Sequence, residues 1–356
     1  MHGRPRQNAG PPDPEKVKAA AQKAALFGQL AGEVLARRAA RRYDAESLGL
    51  AAKLVELHPE VYTVWNYRRE ALQPVLEAGG EAAVAAVAGE LALTERALAK
   101  NPKSYATWHH RKWVVAKGMC SLERELQLVG KLLDADERNF HGWGYRRFVV
   151  QLMGTPAERE LEYAEKRIGQ NFSNYSAWHS RTALLPALYG GSGGGDAADV
   201  LAAALASGTR LGEQEGGSSS VTVADSSSSS GGATEQQVAD SLQAGKQLPA
   251  AHGSAAATSA VPKEALDEEY ELVKQAFYTE PEDQSGWFYH RWLLGCSLAH
   301  WEQAVGTPAE AGEQAALLAV LGREQQMCEE LLEIEPDAKW PLLTVVRLKE
   351  LRQQLP

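Results

Sequence analysis

Asn101-Pro102-Lys103-Ser104-Tyr105-Ala106-Thr107-Trp108-His109-His110-Arg111 is the stretch from which the fold can be read. Asn101-Pro102 ends one helix, because proline cannot continue the hydrogen-bond ladder. The stretch Asn101 to Ser104 as a whole caps the next one. Beyond it Tyr105, Trp108 and Val115 recur at i, i+3 and about i+7, which predicts one apolar face of a helix. The pattern returns around Trp65, Trp143, Trp178 and Trp287. The steps from Trp65 onward are 43, 35, 35 and 109 residues, and the last step contains a low-complexity stretch whose removal leaves roughly one period. An arginine follows the tryptophan by three positions in four copies (Arg68, Arg111, Arg146, Arg181) and by four in the fifth, as Arg291. An aromatic residue precedes it by three (Tyr62, Tyr105, Phe140, Tyr175), and Pro59, Pro102 and Pro281 precede it by six. A fixed period in the thirties means stacked helical hairpins. The partner helix lies upstream, as in Leu122, Leu126, Val129 and Leu133 before Trp143. The expected fold is all-α, with five clear antiparallel hairpins and a poor sixth opening at Lys339-Trp340-Pro341.

The rest of the chain bounds the reading. Of 356 residues, 44% are hydrophobic and 23% charged, ordinary for a soluble folded protein. The net charge of −9 argues against nucleic-acid binding driven by bulk positive charge. No apolar run reaches the length of a membrane span, and the polar start Met1-His2-Gly3-Arg4 does not resemble a secretory signal. Three cysteines, Cys120, Cys296 and Cys328, lie far apart and read as reduced cytoplasmic thiols. Residues 186–262 are mostly Gly, Ser and Ala and carry seven acids against two bases. Such a segment cannot bury enough apolar surface to fold, although a short helix around Ala197 to Ala206 is compatible with it. The expected organisation is a flexible arm over 1–20, a first helical part over 21–185, a disordered insert over 186–262 and a last helical part over 263–356.

Two readings exist for the arginine beside each tryptophan: stacking on the ring, or pairing with a carboxylate between hairpins. Pairing is preferred, which makes Trp65/Arg68, Trp108/Arg111, Trp143/Arg146, Trp178/Arg181 and Trp287/Arg291 structural. A tetratricopeptide array has a similar period, but its small residues at set positions are not found in these templates. His109 and His110 point to different faces of one helix and read as surface or interface groups rather than metal ligands. Arg37, Arg38, Arg41 and Arg42 read as a solvated helix face.

The five copies resemble the repeat of protein prenyltransferase α subunits. They are Tyr62-Thr-Val-Trp-Asn-Tyr-Arg-Arg69, Asn101 to Arg111, Asp136-Glu-Arg-Asn-Phe-His-Gly-Trp-Gly-Tyr-Arg-Arg147, Asn171-Phe-Ser-Asn-Tyr-Ser-Ala-Trp-His-Ser-Arg181 and Asp283-Gln-Ser-Gly-Trp-Phe-Tyr-His-Arg-Trp-Leu-Leu294. The opening Met1 to Arg4, the block Asn171 to Trp178 and Glu335-Pro-Asp-Ala-Lys-Trp-Pro-Leu-Leu343 look most like the type II (Rab) geranylgeranyltransferase branch. The near alternative is the α subunit shared by farnesyltransferase and type I geranylgeranyltransferase, and a scaffold without catalytic role is the alternative of a different class. The chain departs from the family at Gly144, where Asp is frequent, and the sequence reaches Pro356 without the leucine-rich repeats that many type II α subunits carry, as a short form or an incomplete sequence would.

The resemblance implies a right-handed superhelix, a crescent wrapped around a β subunit that holds zinc and the lipid pocket. No cofactor is then expected on this chain, and it is inactive without β. The paired enzyme would move geranylgeranyl from geranylgeranyl diphosphate, bound at the shared site, to C-terminal cysteines of Rab GTPases presented by Rab escort protein. In related farnesyl enzymes a lysine five before the tryptophan approaches the diphosphate. That position holds Glu60, Lys103, Arg138, Ser173 and Glu282, so Lys103 is the first catalytic candidate and Arg138 the second. His2, on an N-terminal arm, is a candidate cap on the partner's zinc.

Because the insert lacks core residues and separates two repeats, deleting residues 190–260 is expected to leave the thermal midpoint nearly unchanged. A loss of several degrees in a melting scan would show that it packs.

Overall fold

A computed structural model describes residues 13–190 and 261–356 of the chain. The described residues contain thirteen helices and no strand. They are α1 (Pro14–Ala39), α2 (Ala45–Leu57), α3 (Tyr62–Ala78), α4 (Gly80–Lys100), α5 (Tyr105–Val115), α6 (Leu122–Ala135), α7 (Phe140–Met153), α8 (Ala157–Gln170), α9 (Tyr175–Tyr189), α10 (Lys263–Thr279), α11 (Gln284–Ala304), α12 (Glu310–Ile334) and α13 (Lys339–Gln354). Two compact units divide them, one holding α1 to α7 and the other α8 to α13. In each unit consecutive helices pack as hairpins, so the helical repeat expected from the sequence is present.

The repeat motif explains each hairpin locally. Side chains cap the second helices: Ser104 Oγ accepts from Thr107 N at 3.2 Å, Asn174 Oδ1 from Ala177 N at 3.2 Å and Asp283 Oδ1 from Ser285 N at 2.8 Å. Four of the repeat indoles reach back across the turn. Trp65 Nε1 donates to Pro59 O at 2.7 Å, Trp108 to Pro102 O at 2.9 Å, Trp178 to Phe172 O at 2.8 Å and Trp287 to Pro281 O at 2.8 Å. A buried indole N–H must find an acceptor, and the carbonyl six residues back supplies it. The turn is thereby clamped to the core ring.

The residue just before the tryptophan sets how closely the two helices approach. It is Val64, Thr107, Gly142, Ala177 or Gly286, all buried. A Cβ on Gly142 would lie 2.9 Å from a methyl of Leu132 and 2.9 Å from one of Leu133 on α6. The first step of 43 rather than 35 residues is taken up by α4, whose 21 residues begin at Gly80, the second of the positive-φ pair Gly79 and Gly80.

The expected boundaries move. Helix α1 starts at Pro14, with Asp13 accepting from Glu15 N at 3.0 Å, so order reaches into the expected arm. At the insert, α9 runs through Pro186 to Tyr189, and Val261 is fully buried before α10. Proline at 186 ends nothing, because α9 carries on for three residues beyond it. The rest of the expected insert, the short helix in it, and His2 lie outside the described residues.

Trp178 is buried with its ring 4.9 Å from Tyr289 and its N–H bonded. Trp178→Ala is expected to cost about 3–5 kcal/mol in a denaturant titration, as core aromatic truncations do.

Candidate functional site

The arginine three residues after the tryptophan is buried, and in three copies it makes the same connection. Arg111 donates from Nε and Nη2 to Glu125 at 2.7 and 2.8 Å, and from Nη1 to Leu91 O at 2.8 Å. Arg181 donates from Nε to Glu269 at 2.8 Å, from Nη2 to the other oxygen, and from Nη1 to Leu161 O at 3.0 Å. Arg68 does the same with Glu90 at 3.1 Å and Leu48 O at 2.7 Å. The carbonyl lies 20 residues upstream, on the first helix of the same hairpin, and the carboxylate on the first helix of the next. One guanidinium thus joins three helices in a planar, bidentate geometry that lysine cannot supply. Arg146 is buried too.

Each carboxylate also accepts from the second helix of its own hairpin. His110 Nε2 donates to Glu90 at 2.9 Å, Tyr145 Oη to Glu125 at 2.5 Å and Tyr289 Oη to Glu269 at 2.6 Å. These acids were not singled out from the sequence, although a signal was there: Glu90, Glu125, Glu160 and Glu269 all stand 18 residues before a repeat tryptophan.

Four expectations need correction. In the fifth copy the pairing residue is His290, three after Trp287 and 2.9 Å from Glu324, not Arg291. One further residue turns the side chain by about 100° around the helix, off the direction in which His290 meets Glu324. His110 is no surface group: it is fully buried against Glu90. The aromatic residue three before the tryptophan is not in the core. Tyr105 and Phe140 are 61% and 72% exposed, because each is the first residue of its helix and stands at its open end. The basic cluster on α1 is more than a solvated face. Arg37 binds Glu33 and Glu46 at 2.8 Å each, and Arg38 binds Glu70 at 2.7 Å, tying α1 to α2 and α3.

The exposed chemistry sits at the turns that open the second helices. Lys103 is exposed there, its backbone N–H bonded to Asn101 Oδ1 at 3.2 Å. The neighbouring Pro102 carbonyl accepts from Trp108 and, at 3.4 Å, from the buried Asn139 Nδ2, so the Lys103 turn is held to the start of α7. Tyr105 meets the His141 ring edge-on at 4.2 Å. Burial pushes the His141 pKa down; Glu60 opposes this, and Lys112 and Lys103 add to it. Lys103, Tyr105 and His141 therefore share one surface, and His141 went unnoticed in the sequence reading. Arg138 is exposed in the turn before α7. In the second unit, exposed Tyr175 and Phe288 meet at 6.2 Å and Phe288 meets Trp340 at 5.6 Å.

Among the described residues no group of three His, Cys, Asp or Glu is placed to hold a metal ion, and no helix is long and apolar enough to cross a membrane. Burial pushes the thiols of Cys296 and Cys328 up to about 12.

Five stretches, 44–73, 87–118, 122–153, 157–188 and 266–297, match the family model described as protein prenyltransferase alpha subunit repeat. The chain belongs to this family. It is 44% identical over 301 residues to geranylgeranyl transferase type-2 subunit alpha 1 of Arabidopsis thaliana, covering 84% of this chain and 34% of that protein. It is 34% identical over 303 residues to the type-2 subunit alpha of Rattus norvegicus, covering 84% of this chain and 43% of that one. The human subunit is 34% identical over 298 residues, or 42% of its length. The chain thus spans between a third and a half of the curated relatives it matches. The solved Candida albicans protein geranylgeranyltransferase-I complexed with GGPP aligns at a TM-score of 0.48 and 18% identity, over 100% of this chain and 95% of that one.

The Glu90 cluster makes stability depend on pH. Burial raises the Glu90 pKa, but the bonds from His110 and Arg68 outweigh it and hold it at about 2. Burial lowers His110 to about 4, with Glu90 opposing, so the ring is neutral, Nε2 carrying the proton given to Glu90. Both pKa values lie below those of the unfolded chain, which therefore binds more protons. Stability is full above about pH 6.5 and falls as His110 and then Glu90 would protonate. His110→Gln is expected to flatten the melting midpoint between about pH 6.5 and 4, and an unchanged slope would place its origin elsewhere.

Proposed function

We propose that the chain is the α subunit of a heterodimeric type II geranylgeranyltransferase, acting in the cytoplasm with a β subunit and inactive without it. What supports this above all is 44% identity to a type-2 subunit alpha across 84% of the chain, with the repeat arginines and their carboxylates in place. The β subunit supplies the zinc and the lipid pocket. The substrates are geranylgeranyl diphosphate and the C-terminal cysteines of Rab GTPases carried by an escort protein.

In that reaction a cysteine thiolate attacks C1 of the lipid, the carbon–oxygen bond to diphosphate breaks, and negative charge grows on the departing diphosphate. A cation near those oxygens binds the transition state more strongly than the ground state. Lys103 is the residue of this chain suited to that task. It is exposed, its turn is clamped through Pro102 to Trp108 and Asn139, and Tyr105 and His141 flank it. In the first unit the second-helix starts, with the exposed rings of Tyr62, Tyr105 and Phe140, offer the β subunit a surface to dock on. Arg138 is the secondary candidate.

With the β partner present, Lys103→Ala is expected to slow single-turnover transfer of labelled geranylgeranyl to a Rab–escort complex by about 10–1,000-fold. Lys103→Arg should recover part of the rate, since charge is kept while position shifts, and Arg138→Ala should be milder. A normal rate for Lys103→Ala would confine the chemistry to β. Absence of transfer by the parental pair would refute the transferase assignment itself.

A further inference from the structure

The buried Arg68 and Arg111 of the first unit each have a carboxylate, but Arg69 does not. It follows Trp65 by four positions and is only 7% exposed. Its Nε faces His110 Nδ1 at 3.4 Å, its guanidinium stands 5.4 Å from the Trp113 ring centre, and its Nη1 is buried with no hydrogen-bond partner. Burial alone lowers its pKa, to about 10, and no acid opposes that. The carboxylate beyond His110 is Glu90, which Arg68 already engages through both oxygens. A second cation, Lys117, lies over the same Trp113 ring at 4.5 Å, with Gln73 Oε1 accepting from its Nζ at 3.3 Å.

Two cations on one indole, one of them deeply buried and lacking an anion, is an arrangement that costs folding free energy. It is the arrangement that an arriving oxyanion relieves, since an acceptor here gains both a charge-assisted bond and a neutralised neighbour. Arg68, Arg111 and Arg181 show the contrast, because each has its own glutamate on the next hairpin. The exposed helix start Tyr62 lies on the same side of α3, seven residues before Arg69.

We propose that Arg69, with Lys117 and Trp113, forms an oxyanion-accepting site on α3 and α5 that takes a carboxylate or phosphate group from outside this chain. The chemistry of the site is set by this chain, and only the β-chain arm of the test rests on the transferase reading.

The test uses the full chain carrying Arg69→Met or Arg69→Lys. Melting midpoints are recorded in rising sodium phosphate at constant ionic strength, so that general screening is fixed. The parent is expected to gain about 2 °C or more with saturation, and Arg69→Lys to keep part of that gain. Arg69→Met should start at or above the parental midpoint without phosphate, because an uncompensated buried charge has been removed, and should not respond. If the parent ignores phosphate while Arg69→Met keeps its midpoint but leaves a co-expressed β chain at lower salt than the parent does, the oxyanion is a carboxylate of that partner. A lower midpoint for Arg69→Met without phosphate would overturn the proposal, since the guanidinium would then be satisfied within the fold. So would an Arg69→Met variant that matches the parent both in its response to phosphate and in its hold on the β chain.

Discussion

A buried guanidinium shared between hairpins is the constraint on which the rest of this structure depends. Arg111 takes a carbonyl from α4 and a carboxylate from α6 while standing on α5. Two desolvated ions are seldom a large net source of stability, because leaving water costs about as much as their attraction returns. Their value here is register. The bidentate plane fixes the rotation of the second helix, and the 20-residue reach to the carbonyl fixes the hairpin that precedes it. Losing one partner would strand a charge at a cost of about 3–5 kcal/mol, so the spacing of acid, tryptophan and arginine is held together.

Fixing the helices this way determines what is left at the surface. With the indole N–H of Trp65, Trp108, Trp178 and Trp287 clamped to a carbonyl six residues back, the turns before those helices cannot drift. Neighbouring turns are also laced. Asn139 bonds the Pro102 carbonyl, Ser173 Oγ bonds Asp283 at 2.7 Å, and Trp340 Nε1 bonds the Glu282 carbonyl at 3.2 Å. Groups placed on these turns are therefore pre-positioned, which is what a residue such as Lys103 needs if it is to act on a substrate carried by another chain. In four copies the first residue of the second helix is an exposed ring (Tyr62, Tyr105, Phe140, Tyr175) for the same reason: the core side of the helix is already filled by tryptophan.

The departures from the repeat carry information of their own. His290 takes the arginine position in the last full copy and reaches Glu324 with one bond instead of two, while Arg323 supplies another at 2.9 Å. In the second copy His110 stands where Tyr145 and Tyr289 stand later, and it brings a titratable ring into the buried cluster. Ser47 occupies the place of the acid in the first copy, and Arg37 of α1 binds it at 3.1 Å, so the first hairpin is closed by a helix outside the repeat.

By itself the sequence determined the helical hairpins, their period, the tryptophans as core and the arginines as carboxylate partners. Those follow from local rules: apolar spacing sets the helix face, proline and a polar cap set its start, and recurrence at one period sets the stack. It also placed the resumption of the repeat beyond the low-complexity stretch, and Arg181 does meet Glu269 across 88 residues. Only the tertiary structure decided which acid each arginine takes, that His110 and His290 are buried ligands of glutamate, and that Tyr105 and Phe140 face outward. These depend on what the neighbouring hairpin brings within about 3 Å, and periodicity along one helix cannot tell a residue at its open end from one a turn further in. The grouping of His141 with Lys103, and the lone cation at Arg69, arise the same way, from residues distant in sequence that packing alone brings together.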